Sequence, residues 1–167
     1  MSVLAEFIKK FRNSPIYISD HSWPNHHQVL ANAGLDVRYY KYYNYNTNAL
    51  DEENLLKDLA AMPAGSVVLF QTNGHNPTGV EPTPDQWHKI AEVMKANCLM
   101  PFFDVVYQGF STGDFDKDGY GVRYFYKQGF QMVASHSFAK NLGLYGERTG
   151  AIHIFCSDKP TAEKVLS

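Results

Sequence analysis

The sequence has 167 residues, 44% hydrophobic and 19% charged, a balance that suits one soluble globular domain and excludes a disordered or fibrous chain. Fifteen Lys plus Arg against seventeen Asp plus Glu leave a formal charge of −2 with no block of like charge, so the basic footprint of a nucleic-acid partner is missing. No apolar run approaches the roughly 20 residues that cross a bilayer, and the opening MSVLAEFIKKFRNS has no signal-peptide core.

Val3, Leu4, Phe7, Ile8 and Phe11 recur at helical spacing until Asn13-Ser14-Pro15 stops them, and Ile16 to Ile18 reads as a strand. A polar stretch from Asp20 to Gln28 leads into a helix ending at Gly34. Val37 to Tyr45, dense in tyrosine, reads as a strand and its exit loop; those tyrosines suit packing and rim positions better than base stacking, since no basic groove accompanies them. Asp51 to Ala61 carries Leu55, Leu56 and Leu59 on one helical face, and Pro63 with Gly65 closes it before the buried-type strand Val67 to Phe70. Thr83-Pro84-Asp85 opens a helix with Trp87, Ile90, Val93 and Met94 inward, followed by the strand Met100 to Asp104. Gly121 to Phe130 reads as helix, Gln131 to Ser135 and Ala151 to Phe155 as strands, and Pro160 begins a further helix.

Strands alternating with helices imply right-handed crossovers and an α/β, three-layer αβα domain with a mostly parallel sheet, a single domain over 1–167. In such sheets the working residues gather beyond the carboxyl ends of the strands. Four segments stand there. After Ile18 come Trp23-Pro24 and three histidines, His21, His26 and His27, without a carboxylate or cysteine at a recognised ligand spacing, so no metal is assigned; Trp23 at a helix mouth can stack on a flat ring or serve as a hydrophobic staple. After Phe70 comes the turn-rich His75-Asn76-Pro77-Thr78-Gly79, which is no P-loop. Asp104 ends an apolar strand, where a carboxylate needs a cation or a donor network. Beyond Ala134, Ser137 and Lys140 stand together, with Arg148 eight positions after the lysine. A partly desolvated lysine there would have a lowered pKa, as Schiff-base chemistry needs, and Ser137 with Arg148 could hold a phosphate.

Asn76-Pro77-Thr78-Gly79, Asp104-x-x-Tyr107 and Ser137-x-x-Lys140, in this order, resemble the pyridoxal-phosphate aminotransferases of fold type I. His75 through Val80, Pro101 through Asp104 with Tyr107-Gln108-Gly109-Phe110, and Ser137 through Asn141 with Gly143-Leu144-Tyr145 and Glu147-Arg148 are similar to the aspartate aminotransferase branch, collinearly from about Ala5 onward. The resemblance implies pyridoxal 5'-phosphate as cofactor and an exchange of the amino group between L-aspartate and 2-oxoglutarate, yielding oxaloacetate and L-glutamate. It implies that Lys140 forms the internal aldimine and shuttles the substrate α-proton, that Asp104 pairs with the ring nitrogen, and that Tyr107 and Asn76 donate to the phenolic oxygen. Ser137 and Arg148 would bind the phosphate, Trp23 would stack on the ring, and His26 would support Asp104 from behind.

The resemblance also implies small-molecule amino-acid and 2-oxo-acid partners, no nucleic acid or membrane, and a homodimer. The family's Ser-Gly-Thr phosphate cup precedes the first helix and its substrate-carboxylate arginine lies in a C-terminal small domain; neither is present, so the expectation is a partial cofactor-binding domain with the small domain absent. The rival expectation is a non-catalytic remnant that keeps the core as a cofactor-binding or interaction protein. Without a G-x-S-x-G elbow or a G-x-G-x-x-G turn, serine hydrolase and dehydrogenase readings find no support. Cys98 and Cys156 form no framework, which fits a reducing compartment and a cytoplasmic location, with mitochondria also open.

Overall fold

The computed structural model describes all 167 residues. Helix α1 (Ser2–Phe11) leads into β1 (Ile16–Ser19), α2 (Pro24–Asn32) and β2 (Val37–Tyr40). A small hairpin of β3 (Tyr43–Asn44) and β4 (Ala49–Leu50) precedes α3 (Glu52–Ala61), β5 (Val67–Thr72), α4 (Pro84–Ala96) and β6 (Met100–Val105). Then come α5 (Phe115–Asp118), α6 (Tyr120–Lys127), β7 (Met132–Ser137), β8 (Gly150–Phe155) and α7 (Lys159–Leu166).

Six strands form one sheet in the order β2-β1-β5-β6-β7-β8, parallel throughout except for the last pair. The α/β, mostly parallel architecture expected from the alternation is what the chain adopts. Each face carries its own core. On one, Leu4, Ala5 and Ile8 of α1 and Leu30 of α2 pack on Ile16, Ile18, Leu69, Phe102 and Val133; on the other, Leu55 and Leu59 of α3, Trp87, Ile90 and Met94 of α4 and Phe125 of α6 pack on Val68, Phe70, Phe103 and Ala134. Burying each large apolar side chain contributes about 1.5–3 kcal/mol against chain entropy, so both helical layers are held by the alternation of strand residues between faces.

Local signals explain several boundaries. Thr83 caps α4 in a reciprocal capping box with Gln86, and Pro84 at the first turn lacks only an N–H that would have had no helical partner. Gly34, at φ +78°, takes the left-handed conformation that lets the chain turn from α2 into β2. Three expectations need correction. The tyrosine-rich run is strand only to Tyr40, because Tyr40 and Tyr42 turn inward and donate from their hydroxyls to the carbonyls of Leu69 and Val80, leaving the rest to a hairpin. The helix expected over 121–130 is α6, which starts at Tyr120 and ends at Lys127, and across Gly119 it is preceded by the one-turn α5, whose Asp118 carboxylate gathers the loop before it. Strand β7 runs on to Ser137, since β8 pairs antiparallel with all of it.

Strand β1 lies between β2 and β5, so the chain departs from it to opposite sides of the sheet. Such a reversal opens a crevice at the carboxyl ends of the strands. Gln71, Asp104 and Ser135 are register partners across β5, β6 and β7. They extend by two residues the apolar row Leu69, Phe102 and Val133, so this row of polar groups meets the crevice on the face covered by α1 and α2.

Candidate active site

A cavity of about 630 Å³ opens at those strand ends, and Trp23, Asn76, Asp104, Tyr107, Ser137, Lys140 and Arg148 all line it. His26 lies behind, fully buried on α2. Residues drawn from four separate loops are thus brought to one place, with Gln71, Ser135 and Tyr145 added to the wall.

Asp104 forms part of the floor and is only 8% exposed. Its Oδ2 lies 2.9 Å from His26 Nε2, and its Oδ1 accepts from Ser135 Oγ at 2.8 Å. Ser22 Oγ is 2.8 Å from His26 Nδ1, so His26 bridges Ser22 and Asp104, with its Nε2–H donating to the carboxylate. The carboxylate is therefore held from behind, while no lysine or arginine side chain pairs with it. A buried carboxylate with no lysine or arginine partner favours a cationic donor entering from the cavity.

The loop carrying Asn76 is set by Gln71, whose carboxamide makes a reciprocal pair with the Asn76 backbone: Nε2 donates to its carbonyl and Oε1 accepts from its N–H, each at 3.0 Å. His75 anchors the same loop. Its Nε2 lies 3.1 Å from Ser19 Oγ, its Nδ1 2.8 Å from Thr78 Oγ1, and its ring stacks on Tyr42 with centroids 3.9 Å apart. Because Ser19 Oγ donates to the His21 carbonyl and Thr78 Oγ1 accepts from Val80 N–H, the consistent arrangement has Nε2–H donating to Ser19 and Nδ1 accepting from Thr78. Burial, then repulsion from His26 and His21, depresses the His75 pKa to about 3.

Lys140 stands three residues past β7. Its Nζ donates to Tyr145 Oη at 3.0 Å, sits 4.1 Å from the Tyr145 ring centroid and 5.8 Å from that of Tyr107. The expectation of a lowered lysine pKa is corrected here: the Tyr145 hydrogen bond raises it, outweighing desolvation, while Lys140 in turn lowers that of Tyr145. At the far side, Ser137 Oγ accepts from Ala139 N–H at 3.3 Å, and Arg148 sits at φ +51° with Nη1 3.4 Å from the Tyr145 carbonyl. Trp23, 38% exposed, precedes α2 and meets His26 edge-on at 5.3 Å between centroids. The three histidines of its segment diverge, His21 to Asp20, His26 to Asp104 and His27 onto Tyr39.

Gln71, Ser135 and Tyr145 were not singled out as site residues from sequence. The first two had a usable signal, since a polar residue two positions after a buried one at a parallel strand's carboxyl end faces the same side. Tyr145 entered only as part of the family resemblance, with no role, because the turn that brings it back to Lys140 is not encoded in any periodicity.

The family profile described as aminotransferase class I and II matches residues 1–166. The chain is 45% identical over 168 residues to a cytoplasmic aspartate aminotransferase of Oryza sativa subsp. japonica, covering 100% of this chain and 41% of that one. It is 42% identical over 169 residues to a mitochondrial aspartate aminotransferase of Xenopus tropicalis, with 100% and 40% covered. Among solved structures it matches an aspartate aminotransferase from Trypanosoma cruzi with a TM-score of 0.93 at 45% identity, over 98% of this chain and 43% of that one. An aromatic-amino-acid aminotransferase from Burkholderia pseudomallei, covalently bound to pyridoxal phosphate, matches with a TM-score of 0.96 at 37% identity, over 99% and 41%. The chain spans about two-fifths of the length of these curated relatives. Relatives carry both cytoplasmic and mitochondrial names, and no helix is long and apolar enough to cross a membrane.

Proposed function

This chain belongs to the aminotransferase class I and II family, and from that premise we propose that it forms part of the cofactor-binding domain of a pyridoxal-phosphate-dependent enzyme that exchanges amino groups between L-aspartate and 2-oxoglutarate. The products are oxaloacetate and L-glutamate, and the working protein is a homodimer. The observation that carries the reading is Asp104: a buried carboxylate on a cavity floor, held on its two oxygens by His26 and Ser135, with a lysine on the same cavity wall.

The donor set fits the cofactor. Pyridoxal phosphate, when bound, supplies an aldehyde that takes up an amino group and a ring that stores the electron pair released at the substrate α-carbon. Asp104 would hold the proton on the ring nitrogen, with His26 and Ser135 keeping that carboxylate oriented. Asn76 and Tyr107 would donate to the phenolic oxygen. Ser137 and Arg148 would bind the phosphate with charge-assisted hydrogen bonds, and Trp23 would cover a ring face. Lys140 Nζ would be the amine that holds the cofactor's aldehyde end, and it would move a proton at the substrate α-carbon.

The choice of aspartate rests on the aspartate aminotransferases among the relatives, while structural neighbours include an enzyme for aromatic amino acids. The test is a transamination assay on the complete translated polypeptide with 2-oxoglutarate as acceptor. L-aspartate is expected to be the preferred donor, with oxaloacetate formed; preference for phenylalanine or tyrosine would overturn the substrate, and no transfer from any amino acid would overturn the activity.

A further inference from the structure

The loop after Tyr107 is organised by two carboxylates to which the chemistry above gives no part. Asp118, buried at the end of α5, accepts at Oδ2 from the N–H groups of Gly109 (2.7 Å) and Ser111 (3.2 Å), and at Oδ1 from Thr112 N–H (3.2 Å) and Oγ1–H (2.7 Å). Four donors on one carboxylate wrap 109–112 into a knot. Gly109 permits it at φ +93°, where an added Cβ would lie 2.9 Å from the Phe115 ring.

Glu81 joins this knot to the neighbouring loop. Its Oε1 accepts from Ser111 Oγ at 2.6 Å and also from Gly74 N–H. Gly74 in turn lies directly against Tyr107: a Cβ on it would meet the Tyr107 side chain at 3.4–3.5 Å. One carboxylate oxygen therefore ties the segment two residues before Asn76 to the segment four residues after Tyr107, while the two loops touch between those points.

We propose that Glu81 is a positioning residue that sets the spacing between Asn76 and Tyr107 through its shared bonds to Gly74 and Ser111. The proposal rests on the function proposed above, in which those two side chains donate to the cofactor's phenolic oxygen. Donors on that oxygen drain the negative charge that would otherwise retain a proton on the nearby Lys140 nitrogen. Loosening them makes the proton harder to lose.

The experiment is a spectrophotometric pH titration of the visible absorption band of the complete translated polypeptide loaded with pyridoxal phosphate. It compares wild type with Glu81→Ala, Glu81→Gln and Ser111→Ala, with amide hydrogen exchange of the cofactor-free proteins measured in parallel. Glu81→Ala is expected to raise the titration midpoint by about half a unit or more and to speed exchange at the Gly74 amide. Ser111→Ala, which removes one exposed hydroxyl and leaves the fold intact, is expected to shift the midpoint the same way by less. Glu81→Gln, whose amide oxygen still accepts both bonds, is expected to titrate close to wild type. A wild-type midpoint in both Glu81→Ala and Ser111→Ala would overturn the proposal. So would a Glu81→Gln shift as large as that of Glu81→Ala, because charge and not position would then be responsible. A wild-type protein with no visible band would overturn the underlying function, a result distinct from a band that the variants leave unmoved.

Discussion

Asp104 is the residue on which the site turns. Its two oxygens hold His26 and Ser135 in place, and those residues hold it. Under the proposed function, replacing it with alanine would strip a charge-assisted bond from the cofactor, worth about 1.5–3 kcal/mol. The expected result is a dissociation constant for pyridoxal phosphate raised about ten- to a hundredfold by equilibrium binding. The same change strands buried donors on His26 and Ser135, so thermal unfolding should also show about 1–3 kcal/mol of lost stability.

His75 gives the residue scale its pH dependence. With a pKa depressed from 6.5 to about 3 by burial, it stays neutral in the folded protein while the unfolded chain takes up a proton below about pH 6.5. Between those values the unfolded state binds more protons, so stability rises with pH and is lost as pH falls from 6.5 towards 3, by up to about 1.4 kcal/mol per pH unit for one proton. Urea unfolding at pH 7, 5.5 and 4 should show this slope, and His75→Gln should flatten it. An unchanged slope in that variant would remove His75 as its source.

Among the elements, α4 and α6 test how closely the packing is set. Gly121 of α6 lies against the Trp87 indole, where an added Cβ would fall 2.9 Å from a ring carbon. Gly121→Val should therefore cost about 1–3 kcal/mol of stability by overpacking, read as a lowered melting temperature. A melting temperature equal to wild type would mean that the two helices can separate freely. The same region shows where sequence reading stops. Helix α4 was legible because Thr83, Pro84 and Gln86 mark its start and its apolar residues keep helical spacing. The one-turn α5 was not, because its Asp118 is tied to Gly109, Ser111 and Thr112 by contacts made through space. Likewise Asn76, Asp104, Ser137 and Lys140 could be located by their places after apolar strands. The raised Lys140 pKa could not, because it comes from Tyr145 across a turn.

For the whole molecule, the alternation of strands and helices carries the topology, and the topology carries the site. The order β2-β1-β5-β6-β7 brings the ends of β1, β5, β6 and β7 together, and the chain then needs only one polar residue at each end to build a wall around Asp104 and Lys140. Two apolar layers hold that sheet rigid, so the cavity is positioned by regular elements and furnished by loops. The most direct measurement of the central claim is borohydride reduction of the complete polypeptide after loading with pyridoxal phosphate, followed by peptide mass mapping. The account expects one phosphopyridoxyl group, on the peptide containing Lys140. Its absence, or its attachment to a different lysine, would contradict the assignment of this cavity.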